Sequence, residues 1–190
     1  MHPTKRQGGA CDKRTSARFG AHVAESSTRR RPPQRGSGSA RRATLTQTRA
    51  RVVVAEDDVL LREGLASLLT SSGFDVVGRC GEPGELVALT RVHQPDLVIV
   101  DIRMPPTHTV EGLEAARAIR GELPDTAILV LSAHVEVEQA TELLCSGRSS
   151  GYLLKSRISD VEEFLFILDR IVRGAAVVDP VLVQELLAVR

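Results

Sequence analysis

Six polar side chains stand at or just after the ends of short apolar runs, and their types can bind a metal ion and a phosphate group together. Carboxylates gathered without a cationic neighbour repel one another, and a hard divalent cation with oxygen ligands relieves that repulsion. A hydroxyl and an ammonium group can hold phosphate oxygens. An aspartate in such surroundings can attack a phosphoryl donor. The six residues are Glu56, Asp57, Asp58, Asp101, Ser132 and Lys155.

Asp101 is the predicted acceptor of a phosphoryl group. It ends "DLVIVD", a run whose length and Val/Ile content are typical of a central strand covered on both faces. Ligands bind at that edge of an open α/β sheet. The chemistry predicts a Mg²⁺ ion held by Asp57, Asp58 and Asp101. It also predicts that Ser132 and Lys155 hold the phosphate oxygens.

Each of these residues taken alone has a simpler explanation. Asp101 could begin a turn, and Asp58 could cap a helix. Ser132 could begin another turn, and Lys155 could be a solvated charge. Their occurrence at the ends of four of the five predicted strands favours the functional interpretation, because the carboxyl ends of parallel strands meet at one edge of a sheet.

The elements that must position these residues alternate along the chain from Arg51 onward. Strand-like and helix-like runs follow one another with short breaks, which is typical of βα units and a parallel sheet. The pattern predicts an α/β fold with a five-stranded, doubly wound, flavodoxin-like parallel sheet. Predicted strands cover 51–55, 74–80, 96–101, 126–132 and 151–155, and predicted helices cover 59–73, 83–94, 110–122, 135–147 and 161–174.

Composition restricts the class of protein. A chain of 190 residues with 42% hydrophobic content can bury one good core. No stretch approaches 18 apolar residues, so the sequence predicts no membrane span. Cys11, Cys80 and Cys145 are an odd number without a short metal-ligand spacing, and no secretory segment follows Met1. A reducing cytoplasm is the predicted location.

Charge divides the chain into two unlike parts. Residues 1–51 contain 13 Lys/Arg and two acids, a net charge of +11, whereas residues 52–190 contain 12 Lys/Arg and 22 acids, a net charge of −10. The basic part is rich in Arg, Gly, Ser and Pro and has no apolar period, so it cannot offset the entropy of ordering. We therefore expect a disordered Arg-rich extension over 1–50.

Three interpretations of the basic extension remain open. It could contact nucleic acid non-specifically through phosphates, although Phe19 is its one aromatic residue. It also has the Arg and Ser content of a transit peptide, but its glycines and prolines interrupt any long amphipathic helix. The favoured interpretation is a solvated extension without a role, or an upstream start codon chosen in error.

Several motifs in order give residues 51–175 a resemblance to the receiver domain of two-component response regulators, the CheY-like domain. The motifs are "VAEDD", "VIVDIRMP", "LVLSAH" and "GYLLK". The residues of these motifs are most similar to those of receivers of the NarL/FixJ class, which in full length carry a LuxR-type helix-turn-helix. We expect that output domain to be absent, because the chain stops at Arg190.

The resemblance implies specific roles for the matching residues. A sensor histidine kinase would phosphorylate Asp101 in a Mg²⁺-dependent reaction, and Asp57 and Asp58 would hold the ion with Asp101. The backbone carbonyl of Arg103 would complete the protein ligands, and the Arg103 side chain would tune the lifetime of the phosphoryl group.

The switch that the resemblance implies lies at the fourth and fifth strands. Ser132 would turn toward the new phosphoryl group, and Tyr152 would follow it inward. This movement would alter the surface made by the fourth predicted helix, the fifth strand and the fifth predicted helix. Lys155 would bind the phosphoryl group, and His134 would tune how fast that group is lost.

Two features depart from the family pattern. Ser156 follows Lys155 where receivers commonly have a proline, which leaves the loop geometry there open. The segment "MPPTHTVEG" is slightly longer than the tight turn that usually follows the acceptor.

The segment 176–190 is predicted to form a linker-type helix. Asp179 is suited to cap it, Pro180 suits its first position, and Val and Leu are spaced for one apolar face. This stripe could pack on the receiver or pair with a second copy, so a homodimer is an open alternative.

A phosphatase is a second functional class that uses similar residues. Haloacid dehalogenase phosphatases also use a strand-end Asp, a hydroxyl, a Lys and a Mg²⁺ acid pair. They need a second Asp two residues after the nucleophile, where this chain has Arg103. We therefore predict no turnover of external substrates. The alternatives that remain are a truncated remnant of a LuxR-type DNA-binding regulator and an unphosphorylated receiver-like interaction module.

Overall fold

The computed structural model describes residues 49–138, 141 and 149–188. Its strands are β1 Arg51–Ala55, β2 Asp75–Cys80, β3 Leu97–Asp101, β4 Ala127–Ser132, β5 Ser150–Leu154 and β6 Val177–Val178. Its helices are α1 Val59–Ser71, α2 Pro83–His93, α3 Glu111–Glu122, α4 Val161–Val172 and α5 Pro180–Ala188, with a 3₁₀ helix at Lys155–Ser159. The α4 helix is the one predicted as the fifth, because most of the predicted helix over 135–147 lies outside the described residues. The predicted extension over 1–50 lies almost wholly outside them too.

The strands form one parallel sheet in the order β2-β1-β3-β4-β5-β6. The central strands β3 and β4 are buried along their whole length, as their continuous apolar runs predict. The predicted α/β doubly wound fold is confirmed, with six strands instead of five. Sequence patterns missed β6 because it contains only two residues.

Helices cover both faces of the sheet. Leu65 and Leu69 of α1 pack with Phe164 and Leu168 of α4 on one face. The other face is covered by α2, α3 and α5, which contribute Leu86, Leu113, Ile119 and Leu182 to a single buried cluster. The helices on each face bury their apolar stripes against the sheet, and the carboxyl ends of the strands stay open to ligands.

Helix ends differ from the predictions by one or two residues. The first helix ends at Ser71, and Gly73 then takes a left-handed backbone with φ +94°. The α4 helix ends at Val172, and Gly174 has φ +97°. Glycine suits both turns because it has no Cβ atom to oppose a positive φ.

Among the described residues, no helix combines the length and the apolar character that crossing a bilayer requires.

Candidate functional site

The carboxyl ends of four neighbouring strands bring the predicted site residues to one edge of the sheet. Asp101 is the last residue of β3, and Ser132 is the last residue of β4. Glu56 directly follows β1, and Lys155 directly follows β5. Asp101 is 4% exposed and Glu56 is 1% exposed, so the site combines charge with burial.

Three acids approach one another closely enough to share a cation. Carboxylate oxygens of Glu56, Asp57 and Asp101 all lie within 4.8 Å of one another. Oxygen ligands of this kind are typical of Mg²⁺ and Ca²⁺ sites.

The structure places Asp58 outside this group of acids. Its carboxylate caps α1 by accepting a hydrogen bond of 3.0 Å from the Leu61 N–H. Of the predicted pair Asp57 and Asp58, the structure therefore brings only Asp57 together with Asp101, and Glu56 is the other acid of the cluster. The sequence has three consecutive acids after β1, and the backbone turn into α1 directs Glu56 and Asp57 toward Asp101.

Two contacts hold Glu56 in place. Its backbone N–H donates to the Cys80 carbonyl at 3.1 Å, which continues the pairing of β1 with β2. Its carbonyl accepts from Arg62 Nη1 at 2.6 Å. Sequence inspection missed Arg62, because an arginine on a helix gives no signal that its side chain bonds back to the preceding loop.

The Lys155 ammonium bridges two of the three acids. Its Nζ atom lies 2.8 Å from Glu56 Oε1 and 2.9 Å from Asp101 Oδ2. Burial opposes its charge, but the bonds to Glu56 and Asp101 prevail and raise the pKa of Lys155 above its ordinary value. Lys155 therefore stays cationic and neutralises part of the acidic cluster.

Burial also shifts the pKa values of the acids. It raises the pKa of Glu56 to about 7, although the Lys155 hydrogen bond works in the opposite direction. Burial also raises the pKa of Asp101, with a further contribution from the Asp57 charge. Lys155 and the backbone N–H of Arg103 offset part of that rise.

One oxygen of the cluster has no partner. Glu56 Oε2 is buried and accepts no hydrogen bond. An orphaned buried carboxylate oxygen is costly, and a bound cation would satisfy it. The donor set therefore fits a divalent ion bound by Glu56, Asp57 and Asp101.

Tyr152 is tied to the loop that follows β4. The ring is fully buried, and its hydroxyl donates to the His134 carbonyl at 3.0 Å and accepts from the Glu136 N–H at 3.1 Å. The Ser132 hydroxyl donates to the same His134 carbonyl at 2.7 Å. Burial raises the pKa of Tyr152, so the hydroxyl stays neutral and available as a donor. The side chain of His134 is exposed.

Arg103 spans the two loops at the mouth of the site. Its Nη2 atom lies 2.8 Å from Glu136 Oε1, and its Nε donates to the same oxygen at 2.9 Å. His108, from the same loop as Arg103, places Nδ1 3.3 Å from Asp57 Oδ2. Sequence inspection assigned neither contact, because each joins segments that are far apart in the chain.

Gly112 allows the close approach of α3 to Asp101. A Cβ atom at this position would lie 1.7 Å from the Asp101 carbonyl oxygen. The Gly112 N–H also donates to the Ile102 carbonyl at 2.9 Å. Only glycine permits this contact between the first turn of α3 and the end of β3.

Ser156 replaces the proline common in receivers, and the backbone there turns into the 3₁₀ helix Lys155–Ser159. Among the described residues, the cis peptide bond is Pro105–Pro106, so the Lys155–Ser156 bond is trans.

Residues 52–164 match the family model described as response regulator receiver domain. The transcriptional regulatory protein DegU of Brevibacillus brevis is 33% identical over 145 residues, which are 75% of this chain and 58% of that protein. The probable transcriptional regulatory protein NarL of Mycobacterium tuberculosis is 37% identical over 140 residues, which are 73% of this chain and 62% of that protein.

A solved structure of a LuxR-family two-component response regulator from Aurantimonas sp. SI85-9A1 is similar in sequence and fold. It is 30% identical, has a TM-score of 0.63, and the match covers 73% of this chain and 95% of that one. The chain spans about six-tenths of the length of DegU and NarL.

Proposed function

Since the chain belongs to the response regulator receiver domain family, we propose that it accepts a phosphoryl group on Asp101 from a sensor histidine kinase. An Asp101 carboxylate oxygen attacks the phosphorus atom, and the bond between phosphorus and the donor nitrogen breaks. The electron pair stays with that nitrogen, and an aspartyl phosphate is formed. The observation that carries this proposal is the Lys155 ammonium, held between Glu56 and Asp101 at the strand ends.

The acids around Asp101 suit a Mg²⁺-dependent reaction. Glu56, Asp57 and Asp101 would hold the ion, and the Arg103 carbonyl is the further ligand that the family pattern implies. Bound Mg²⁺ supplies positive charge to the transferred phosphoryl oxygens. Lys155 adds a second positive charge beside Asp101. Burial of the site strengthens both interactions.

The phosphorylated state would differ from the unmodified one at the loop after β4. Ser132 now donates to the His134 carbonyl, and it would instead donate to a phosphoryl oxygen. Tyr152 shares that carbonyl, so its hydrogen bonds would rearrange as well. We propose that this exchange alters the surface formed by the segment 135–147, β5 and α4. The side chains of Arg103 and His134 would set the lifetime of the phosphoryl group.

We further propose that the protein is a phosphoacceptor and does not turn over external substrates. Position 103 carries Arg, so the second acid that a phosphatase of the haloacid dehalogenase type needs there is not supplied. The chain would act in the cytoplasm, with a basic extension at 1–50, the receiver at 51–175 and a linker-type helix at 176–190. DegU and NarL are named as transcriptional regulatory proteins, and a role in transcription is proposed here by analogy.

Intact mass spectrometry tests the proposal directly. We expect incubation with acetyl phosphate and Mg²⁺ to add one phosphoryl group to the protein and none to the Asp101→Ala variant. Omitting Mg²⁺ should prevent the addition. A folded wild-type protein that gains no adduct would contradict the proposal and favour a receiver-like interaction module.

A further inference from the structure

The C-terminal segment is attached to the same short stretch of chain that binds the acceptor. The strand β6 lies along β5, with Val177 and Val178 opposite Gly151 and Tyr152. Leu182 of α5 is fully buried in the cluster that contains Tyr152. The segment 177–188 therefore packs on the receiver, which is one of the two alternatives that its sequence left open.

Asp179 provides the main polar anchor of this segment. It is fully buried, and its carboxylate accepts from Leu154 N–H at 3.2 Å and from Arg157 Nε and Nη2 at 3.0 and 3.1 Å. It also caps α5 by accepting from the Val181 N–H at 3.0 Å. Burial alone would raise the pKa of Asp179, but these hydrogen bonds hold it below its ordinary value. A two-residue strand stabilises the attachment little by itself, so the attachment depends on this carboxylate together with the buried Leu182 side chain.

The residues that bind Asp179 and the residue that binds Asp101 lie in one short turn. Leu154 precedes Lys155, and Arg157 follows it two residues later. Lys155 binds Glu56 and Asp101 on one side of this turn. The residues around it bind Asp179 on the other. A movement of Lys155 would therefore also move its chain neighbours Leu154 and Arg157, which are hydrogen-bonded directly to Asp179.

We propose that the Arg157–Asp179 pair is a clasp that holds the C-terminal helix on the unmodified receiver and loosens when Asp101 is phosphorylated. This inference rests on the proposed function of Asp101. The phosphoryl group brings three charged oxygens that compete with Glu56 for the Lys155 ammonium. Lys155 moves toward them, and the turn that carries Arg157 moves with it. The forked contact of Arg157 with Asp179 depends on geometry, so this shift weakens it.

The clasp makes the C-terminal segment a carrier of the signal. Once the Arg157 contact is lost, a buried Asp179 carboxylate is left without its cationic partner, which favours release of β6 and α5. Release would also expose Leu182 and the edge of β5. The helix α5 would then be free to bind elsewhere.

Hydrogen exchange at residues 177–188 tests the proposal, with beryllofluoride and Mg²⁺ as the phosphoryl mimic. We expect exchange in this segment to become at least about fivefold faster when the mimic binds, the lower end of ordinary coupling between two sites. Linkage is reciprocal, so weakening the clasp must raise the affinity for the mimic, by up to the same factor when the clasp is fully open. Asp179→Asn keeps the shape of the side chain and an acceptor oxygen while removing the charge. Arg157→Met removes the guanidinium.

Arg91→Met is the matched control. Arg91 also forms a two-bonded pair with a carboxylate, Glu122, but this pair joins α2 to α3 on the surface. The Arg91→Met variant should change neither the affinity for the mimic nor the hydrogen exchange of residues 177–188. Far-ultraviolet circular dichroism would identify a variant that fails to fold, and the wild-type exchange measurement stands without any variant.

The outcomes separate this inference from the proposed function. A phosphoryl adduct on Asp101 with unchanged or slower exchange at 177–188 would overturn the clasp and leave the acceptor in place. Equal affinity of wild type, Asp179→Asn and Arg157→Met for the mimic would also overturn it, since a merely structural pair leaves that affinity alone. Absence of any adduct on the wild type would remove the premise of both.

Discussion

Glu56 combines a buried carboxylate with a direct bond to the Lys155 ammonium. One of its oxygens bonds Lys155 at 2.8 Å, and the other is buried without a partner. The metal-free protein must therefore hold a charge that burial disfavours. This conflict between burial and charge makes the cluster sensitive to pH and to a bound cation.

The pH dependence of stability should reveal Glu56. Its folded pKa of about 7 lies above the ordinary value of 4.5. An acid with a raised folded pKa stabilises the folded state at low pH and loses that contribution as pH rises through its folded pKa. In the absence of metal, we expect the free energy of unfolding of the wild type to fall relative to Glu56→Gln by roughly 3 kcal/mol between pH 4.5 and 8. Urea unfolding of both proteins with EDTA measures the difference.

Two further measurements check that assignment. Saturating Mg²⁺ should reduce the pH dependence, because a bound cation favours the charged form of Glu56. The exposed Glu114→Gln variant is the control for removing a carboxylate outside the cluster. A constant difference between wild type and Glu56→Gln would show that Glu56 does not titrate in this range.

The acids after β1 should separate into a metal ligand and a helix cap. Asp57→Asn should weaken Mg²⁺ binding by at least about tenfold, since even loss of an outer partner of a metal ligand has effects of that size. Asp58→Asn should leave Mg²⁺ binding nearly unchanged, because asparagine also caps helices. Titration calorimetry with Mg²⁺ compares the variants. Equal losses of Mg²⁺ affinity in both variants would indicate that Asp58 is also a ligand.

At the scale of elements, the start of α3 and the end of β3 form one unit. Gly112 allows the helix to lie against the carbonyl of Asp101, and the Gly112 N–H bonds the Ile102 carbonyl. Asp101, the proposed acceptor, is thus held by the strand that it ends and by the helix that follows. Positioning an acceptor on rigid elements keeps its geometry suited to the reaction.

Gly112→Ala should disturb both stability and phosphorylation. The new Cβ atom would lie 1.7 Å from a backbone oxygen, so α3 or β3 must shift. We expect a loss of roughly 2 kcal/mol or more in the free energy of unfolding, with slower addition from acetyl phosphate.

Gly121 lies in the same helix and serves as the control. A Cβ atom there meets nothing within 4 Å, so Gly121→Ala should be neutral or stabilise the protein by up to about 1 kcal/mol. Urea unfolding and intact mass spectrometry measure both variants. Equal behaviour of the two would show that the close approach at Gly112 is unimportant.

At the scale of the whole molecule, an apolar groove has Asp58, the residue after the acidic pair Glu56 and Asp57, in its lining. It has a volume of about 350 Å³ and is bounded by α1 and Ile158 of the 3₁₀ helix. Leu60, at the start of α1, is 85% exposed at its rim. A protein donor must approach this edge of the sheet to reach Asp101. We therefore expect the kinase to contact Leu60.

Leu60→Glu should slow transfer from a phosphorylated kinase and leave phosphorylation by acetyl phosphate unchanged. An apolar contact at the centre of an interface is worth more than about 1 kcal/mol, so the transfer rate should fall roughly tenfold. Val92 is 76% exposed near the end of α2, at the opposite edge of the sheet, and Val92→Glu is the control. Radiolabel transfer measures the kinase reaction. Equal rates for all three proteins would place the contact elsewhere.

The sequence by itself determined the order of strands and helices along the chain and the place of Asp101 at the end of a buried strand. Apolar periodicity is a local property, so the buried run before Asp101 and the amphipathic helices could be read directly. In a parallel sheet the carboxyl ends of the strands meet at one edge, and this alone predicts that Ser132 and Lys155 lie near Asp101. The family resemblance followed from the same ordered residues.

Only the tertiary structure decided which acids face the site and where the C-terminal segment lies. The backbone turn after β1 directs Glu56 inward and leaves Asp58 to cap α1, and three consecutive acids carry no signal of that choice. The contacts of Gly112 with Asp101 and of Asp179 with Arg157 join residues distant in the chain. Such contacts depend on how packed elements meet, and patterns of local hydrophobicity do not encode that geometry.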